Sequence, residues 1–378
     1  MKIYKKAILP CGFKASAVSC GIKRSGKLDL ALFYSSLPAK AAAKFTINKF
    51  PAAPVKLNKE HLKRSKAFQA VVVNSGNANA FTGKAGLSGA RKICVALAKL
   101  LGLKVSSVLV NSTGIIARAL PVDKVKKAMP LLIEGLSPLG VKRAVKAIMT
   151  TDTFHKAVTV RLNIASHPVT ICGIAKGAGM IAPNMATMLC FIFTDANITQ
   201  AALSRALDNS TEKSFNCITV DGCMSTNDSV MALANAASGN PLIDSGKNYN
   251  LFSQALSLVC LELAKLVVKD AEGASKFIEI KVSKARNFKE AKLAALAIAN
   301  STLFKTAVYG ENPNFGRIVS AVGASGIAAK EELLKIKVSP LSKKEIDLEV
   351  SLELGKASAV VYTSDLTPEY IKINAAYN

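Results

Sequence analysis

The stretch KGAGMIAPNMATMLCFIFTDANI, residues 176–198, carries the features on which the interpretation of the whole sequence depends. Its second half contains an unbroken apolar run, residues 188–193, of the length and composition typical of a buried strand. Its first half consists largely of Gly, Ala, Pro and Asn, and a single threonine, Thr187, stands between the two halves. This junction predicts either a threonine that simply opens an internal strand or one that carries chemistry.

Length and composition limit the class of protein. A chain of 378 residues is too long for one small core, so the sequence predicts two domains or one large layered body. Half of the residues are apolar, which favours a packed α/β protein over a disordered one. Eight cysteines occur without a CxxC pair, and the longest uncharged run, 177–194, is interrupted by polar residues and a proline. We therefore expect a reduced, cytoplasmic compartment and no membrane span.

Charge is very unevenly distributed along the chain. Residues 1–186 contain 30 lysines and arginines against five acidic residues, whereas residues 187–378 contain 20 of each. Such an excess is typical of a protein with an anionic partner, either a nucleic acid or a carboxylate substrate, and a lysine-rich solvated surface is the simpler explanation. The lysines are dispersed, without an RNA-binding or zinc-finger motif, so we expect no nucleic-acid partner.

The pattern of apolar residues predicts a mixed α/β layered body. Short apolar or alternating runs predict strands at 70–74, 107–111, 277–282, 346–354 and 358–363. Helical periodicity predicts helices at 88–101, 199–207 and 251–268. Ser88 is the expected N-cap of the first helix, and 239–249 is the candidate loop between units.

Four polar stretches stand out, and the usual catalytic parts are missing. The stretches are NSGNANAFTG at 74–83, NSTGII at 111–116, TTDTF at 150–154 and ITVDGCMSTNDS at 218–229. The first two directly follow predicted strands, where functional loops are commonly built, although each alone is also explained as a turn and Asp228 as a helix cap. His61, His155 and His167 lack ligand spacing, so we expect them on the surface or in loops and predict no metal site.

A threonine can act as a nucleophile without histidine if it becomes the first residue of a chain. The α-amine of Thr187, with an ordinary pKa of about 7.7–8.0, can then accept the hydroxyl proton at neutral pH. This requires cleavage between Ala186 and Thr187, which the hydroxyl can perform by attacking the Ala186 carbonyl and passing through an ester. The small residues before the cut give the carbonyl room, and the strand after it would hold the new terminus.

Ten motifs in one order across residues 21–377 resemble the ornithine acetyltransferase family of arginine biosynthesis, the bifunctional glutamate N-acetyltransferases. The motifs are GIKRSGKLDLAL (21–32), FTINKFPAAPV (45–55), VNSGNANAFTG (73–83), NSTGII, TTDTF, KGAGMIAPNMATML (176–189), ITVDG with STNDS, KDAEGASKF (269–277), KTAVYGENPNFGRI (305–318) and DLTPEYIKINAAY (365–377). The range from the first motif to the last spans nearly the whole chain.

The resemblance implies a fold, an assembly and a reaction. The fold is a layered α/β fold, an αββα sandwich similar to but distinct from the N-terminal-nucleophile hydrolases, with a smaller C-terminal α/β unit from about residue 240. Self-cleavage would give an α chain of residues 1–186 and a β chain of residues 187–378, associated as α₂β₂. The implied reaction moves acetyl from N²-acetylornithine to glutamate, giving ornithine and N-acetylglutamate, with no resident cofactor.

The resemblance also implies a role for individual residues. Thr187 is the nucleophile that carries the acetyl group as an ester, and Thr113 and Gly114 form the oxyanion hole. The implied substrate-binding residues are Thr153, Lys176, Thr187, Glu272 and Asn374. A lysine suits an α-carboxylate and a glutamate suits an ammonium group, which both amino-acid substrates possess.

Departures from the family pattern and further candidate functions stay open. Cys223 and Met224 stand where Asp-Thr is usual, His155 replaces a proline, and the chain ends at Asn378 where a further Ser or Thr is usual, which we expect to loosen substrate binding. Acetyl-CoA is a candidate acetyl donor, either as a second donor or as the sole donor of an N-acetylglutamate synthase. An aminopeptidase of the same broad fold and a basic nucleic-acid-binding protein are the remaining candidate functions.

Overall fold

The computed structural model describes residues 1–182 and 188–376 of the chain. Within these residues the strands, numbered in chain order, are β1 Lys2–Tyr4, β2 Phe13–Val18, β3 Leu30–Phe45, β4 Phe68–Asn77, β5 Val108–Ile115, β6 Lys156–Ile164, β7 His167–Lys176, β8 Leu189–Thr194, β9 Ser229–Ala234, β10 Phe277–Ala285, β11 Lys335–Val338, β12 Glu345–Ser351 and β13 Ala357–Ser364. The α-helices are α1 Ala53–Arg64, α2 Gly83–Leu101, α3 Val122–Glu134, α4 Val141–Ala147, α5 Gln200–Glu212, α6 Gly246–Lys269, α7 Phe288–Ala299, α8 Thr302–Tyr309, α9 Phe315–Gly323 and α10 Pro368–Ala375.

The chain divides into two compact units. The first comprises Met1–Gly177, Thr187–Ser214 and Ser225–Leu263, and the second comprises Ala178–Ala186, Phe215–Met224 and Ala264–Asn378. The last boundary between the units, at residues 263 and 264, therefore falls inside α6. The predicted linker at 239–249 lies within the first unit.

One long strand organises the sheet of the first unit. The described strands follow the order β1-β6-β7-β8-β9-β3-β4-β5, and β2 also pairs with β3. Residues 30–35 of β3 pair with β2, whereas residues 40–45 pair with β9. The pairing of β3 with β4 shifts register between Tyr34 and Ala39, where the two halves of β3 meet. A single strand thus contributes to two parts of the sheet. One part contains β2, β4 and β5, and the other contains β1 and β6 to β9.

Aromatic side chains fill the space between these two parts. The Phe33 ring centroid lies 5.6 Å from that of Phe191 and 5.1 Å from that of Phe193, and the Phe13 and Phe193 centroids are 5.2 Å apart. Strands β3 and β8 are not neighbours in the sheet, because β9 separates them. The tilted rings therefore meet across two packed layers, as in a sandwich.

Helices cover the outer face of each layer. Val73 of β4 joins the inner aromatic core, while the adjacent Val72 belongs to a cluster with α1, α2 and α3. On the opposite layer, α6 packs so closely on β7 that a Cβ added to Gly173 would lie 2.5 Å from Val259 and 2.7 Å from Leu263. The first unit is therefore an αββα sandwich, which confirms the predicted fold class.

The second unit is built on a smaller sheet. Its described strands follow the order β11-β12-β10-β13, with β10 and β12 parallel and β10 and β13 antiparallel. Helix α7 packs on β10 and β13, and their apolar side chains form a separate core. Three predicted strands lie in this sheet, although β12 ends at Ser351, three residues earlier than predicted.

The apolar run at the centre of the opening stretch forms β8, as predicted. Every residue of β8 is buried, and the strand pairs with β7 on one side and β9 on the other. Two local predictions were wrong. Helix α2 begins at Gly83 rather than at Ser88, and a Cβ on its Gly86 would come within 2.5 Å of Asn79 Oδ1, so this turn needs glycine. The polar residues of 74–77 and 111–115 continue their strands instead of forming loops.

Helix α6 is a candidate membrane span by its length and hydropathy, the one such helix in the described residues. Half of its most apolar stretch is buried inside the protein, and core helices of globular proteins share this composition.

Candidate active site

The ends of β4 and β5 bring two glycines into direct register. Gly76 pairs with Gly114 in the parallel ladder, next to the pair of Ser75 with Thr113. Gly114 has a φ of +129°, and an added Cβ would overlap the Gly76 backbone and lie 2.6 Å from the Asn77 nitrogen. Any larger residue would force the strands apart. Of the two predicted oxyanion residues, Gly114 thus occupies a backbone geometry that requires glycine, and Thr113 directly precedes it.

A buried lysine contacts one of these residues. Lys176, at the end of β7, is 3% exposed, and its Nζ donates to Thr113 Oγ1 at 3.1 Å and to Thr150 Oγ1 at 2.7 Å. An ammonium group is only a donor, so Thr113 must accept from it, and the single O–H of Thr113 is left to donate to another group. The structure therefore joins two sequence-predicted residues, Lys176 and Thr113, through a hydrogen bond of fixed direction.

Asp152 is the second anchor of this cluster. Its Oδ1 accepts from Lys156 Nζ at 2.6 Å and from the Gly177 nitrogen at 2.7 Å, and its Oδ2 accepts from the Thr150 nitrogen at 2.9 Å. Burial alone would raise the pKa of Asp152, but the charges of Lys176 and Lys156 hold it well below its usual range. Asp152 therefore stays ionised and fixes both Thr150 and the backbone after Lys176.

A cavity of about 380 Å³ opens beside this cluster. Its lining includes Thr153, another sequence-predicted residue, together with Lys23 and Asp152. Lys23 Nζ donates to the carbonyl oxygens of Leu28 and Met149 at 3.0 and 2.8 Å. Burial lowers the pKa of Lys23 to about 8, and the charge of the nearby Lys176 acts in the same direction. The cavity is cationic at neutral pH and suits a carboxylate.

In the second unit, the predicted Glu272 and Asn374 lie side by side. Asn374 Nδ2 donates to Glu272 Oε2 at 3.0 Å and to the Tyr370 carbonyl oxygen at 3.0 Å. The Glu272 nitrogen donates to the Ala178 carbonyl at 3.0 Å, and a Cβ on Gly179 would overlap the Glu272 carboxylate. The absence of a side chain at Gly179 thus makes room for the Glu272 carboxylate.

Asp221 holds the same segment from another side. It accepts hydrogen bonds from the nitrogens of Met180 (2.6 Å), Ile181 (2.9 Å) and Cys223 (3.1 Å), and from the Tyr370 hydroxyl (3.2 Å). Burial and the negative charge of Asp221 raise the pKa of Tyr370. Three separate segments of the second unit are therefore tied to one carboxylate.

Ala186 and Thr187 lie outside the described residues, and the residue that follows them is well anchored. The Met188 nitrogen donates to Asp228 Oδ1 at 3.1 Å, and the Met188 carbonyl accepts from the Ser229 nitrogen at 3.2 Å. The chain is thus fixed from Met188 onward by the start of β9.

Several residues of these clusters were not singled out from the sequence. Thr150 and Asp152 lie in the TTDTF stretch, so that motif was a usable signal, whereas nothing distinguished Lys23 from other lysines of the basic half. A helix cap was the alternative explanation for Asp228, and the structure excludes it because β9 follows Asp228 directly. Its carboxyl accepts instead from the nitrogen of Met188, the residue before β8.

Of the three histidines, His155 lines the cavity described above. His61 was expected at the surface or in a loop, but it is 3% exposed in α1, and its Nδ1 lies 2.7 Å from the Val108 carbonyl oxygen. That bond requires the proton on Nδ1, and burial lowers the pKa of the ring. His155 is exposed in a loop as predicted, and His167 begins β7. Within residues 1–182 and 188–376, no group of three His, Cys, Asp or Glu side chains could hold a metal ion.

Comparison with known proteins identifies the family. A profile described as the ArgJ family matches residues 14–343. The arginine biosynthesis bifunctional proteins ArgJ of Caldanaerobacter subterraneus subsp. tengcongensis and Geobacter sulfurreducens are each 45% identical to this chain, covering 98% and 97% of it and 98% of each relative. The crystal structure of Mycobacterium tuberculosis ornithine acetyltransferase complexed with ornithine is 35% identical, covering 50% of this chain and 99% of that chain, with a TM-score of 0.45. The profile match and the two relatives together show that the chain belongs to the ArgJ family.

Proposed function

We propose that this protein is a self-cleaving acetyltransferase of arginine biosynthesis, which moves acetyl from N²-acetylornithine to L-glutamate and releases ornithine and N-acetylglutamate. Membership of the ArgJ family and the names of the two bacterial relatives support the pathway. The basic cavity lined by Thr153 and Lys23 suits the carboxylates of both amino-acid substrates.

The observation that carries the proposal is the hydrogen bond from Lys176 to Thr113. Because the ammonium group can only donate, it directs the one O–H of Thr113 to some other acceptor. The oxyanion of a tetrahedral intermediate is such an acceptor, and the backbone N–H of Gly114 is the second donor in this proposal. The positive charge of Lys176, one hydrogen bond away, adds to the stabilisation of that oxyanion.

In the proposed mechanism, cleavage between Ala186 and Thr187 creates a new α-amine on Thr187. That amine removes the proton from the Thr187 hydroxyl, whose oxygen attacks the acetyl carbonyl of acetylornithine. Ornithine leaves with the proton, and an acetyl ester remains on Thr187. Glutamate then attacks the ester with its own amine, so the two substrates react in sequence at one site.

Each remaining residue has a proposed binding role. Lys176 and Thr153 receive the α-carboxylate of the substrate, and Glu272 receives its ammonium group, with Asn374 holding the Glu272 carboxylate in place. No cofactor is needed for these steps. An α₂β₂ assembly and a cytoplasmic location are part of the same proposal.

Intact mass under denaturing conditions tests the self-cleavage. We expect two fragments that meet between Ala186 and Thr187 in the wild type, and one uncut species for Thr187→Ala. Cleavage of Thr187→Ala at the wild-type rate would refute the proposal.

Incubation of the cleaved protein with acetylornithine and glutamate tests the reaction. Formation of acetylglutamate without acetyl-CoA is the expected result. Product that appears only with acetyl-CoA would indicate a synthase, and release of amino acids from peptides would indicate an aminopeptidase.

A further inference from the structure

Asp228 is a fully buried carboxyl that contacts Met188, the second residue after the proposed cut. It is 0% exposed and immediately precedes β9, which runs parallel to β8 with Ser229 opposite Leu189. Its Oδ1 accepts from the Met188 nitrogen at 3.1 Å. The side chain therefore reaches from the start of one strand to the start of the next.

The second oxygen of this carboxyl is unused. Among the described residues, Asp228 Oδ2 is buried and has no hydrogen-bond partner. Buried polar atoms are nearly always hydrogen-bonded, so this oxygen needs an explanation, and a role in proton transfer is one.

Asp228 also holds a proton more firmly than an ordinary aspartate. Burial raises its pKa well above the usual range. The groups that face it from the neighbouring elements oppose this shift without cancelling it: the Met188 N–H, the Ser225 hydroxyl, the Lys176 ammonium and the Thr46 hydroxyl. A neutral carboxyl has one O–H donor to give.

Asp228 is anchored on the residue that directly follows Thr187 in the chain. Three bonds join the Met188 nitrogen to the backbone nitrogen of Thr187, and their lengths add up to only about 4.3 Å. Asp228 therefore accepts from the backbone N–H that is three covalent bonds away from the nitrogen that leaves when the peptide bond before Thr187 breaks.

Resting on the self-cleavage proposed above, we propose that Asp228 is the acid that protonates the departing nitrogen of Thr187. The Thr187 Oγ bonds to the carbonyl carbon of Ala186, the carbon–nitrogen bond breaks, and the nitrogen takes the proton of Asp228. The hydroxyl proton of Thr187 returns to the Asp228 carboxylate. Water then hydrolyses the ester, so Asp228 ends each cleavage as it began.

Two substitutions of Asp228 distinguish its role as a proton donor from its role as the hydrogen-bond acceptor for the Met188 N–H. Asp228→Asn keeps an oxygen that can accept from the Met188 N–H and has nearly the same volume, but it has no acidic proton. Asp228→Ala removes both functions. The matched control is Asp195→Asn, because Asp195 directly follows the other end of β8 and also accepts backbone N–H groups, from Thr170 at 2.8 Å and Cys11 at 3.2 Å.

The full chain is synthesised in a cell-free system, and the uncut fraction is followed over time by intact mass. We expect Asp228→Asn to fold with an undiminished melting temperature and to cleave roughly 10²–10⁴-fold more slowly, the range of general acid catalysis. Asp195→Asn should cleave like the wild type. The wild-type rate should fall as pH rises through the titration of Asp228, and Asp228→Asn should lack that fall.

Two results would overturn the inference. Wild-type cleavage by Asp228→Asn, with Thr187→Ala still uncut, would exclude Asp228 as the acid and leave the proposed function intact. If Asp228→Ala abolished cleavage and Asp228→Asn cleaved normally, the role of Asp228 would be only to hold Met188 in place. Cleavage of Thr187→Ala would instead refute the proposed function itself.

Discussion

Replacing Thr113 by valine removes one hydroxyl from the proposed oxyanion hole and little else. Thr113 is 5% exposed at the end of β5, and valine has the same branched shape, so the strand should retain its pairing with β4. The change deletes both the acceptor for Lys176 Nζ, now at 3.1 Å, and the O–H that we assign to the oxyanion.

These two losses have different signatures. Loss of one oxyanion donor typically lowers kcat roughly 10²–10³-fold, equivalent to about 2.7–4 kcal/mol of transition-state stabilisation. Loss of a hydrogen bond to a charged group costs about 1.5–3 kcal/mol of folding free energy. We therefore expect Thr113→Val to fold with lower stability and to transfer acetyl at least about a hundredfold more slowly.

Thr150→Val is the matched control, because it deletes a second acceptor of Lys176, at 2.7 Å, and leaves the proposed oxyanion donor in place. The assay measures kcat and KM for acetyl transfer to glutamate, together with urea unfolding, on fully cleaved protein. Thr150→Val should lose comparable stability and less than about tenfold in kcat. Equal kcat values for the two variants, or a Thr113→Val enzyme within threefold of wild type, would refute the assignment of Thr113.

Three further outcomes follow from the same geometry. Gly114→Ala should lose about 2 kcal/mol or more of stability and most activity, whereas Gly102→Ala, also at positive φ but with nothing within 4 Å of its Cβ, should stay active; thermal melts and transfer assays compare them. Asp152→Asn should cost about 3–5 kcal/mol because it removes the carboxylate that pairs with the buried Lys156, and since the folded pKa of Asp152 is lowered, this difference should shrink as pH falls below about 3.9 in urea titrations. The Lys23 ammonium is lost above a pH of about 8, so the wild-type KM for glutamate should rise there, and Lys23→Met should raise KM roughly tenfold at pH 7 without that further rise.

The sequence predicted the strands better than the beginnings of helices. Apolar runs such as 188–193 specify a buried strand through their own composition, and β8 is buried along its whole length. The start of α2 escaped prediction because it depends on the close contact of Gly86 with Asn79, seven residues earlier, which the periodicity of apolar residues does not record. The polar ends of β4 and β5 were taken as loops for a different reason, since their pairing is made between distant segments.

What the sequence by itself determined is the set of chemical groups and the family to which they belong. The amino-acid sequence alone shows the small residues around Thr187, the Thr113-Gly114 pair and the TTDTF stretch, because motifs and their order are properties of the sequence. Only the tertiary structure decided how those groups are connected. The direction of the Lys176 to Thr113 hydrogen bond arises where separate strands end together, and burial, which is a property of the fold, alters the pKa of Asp228 and of Lys23.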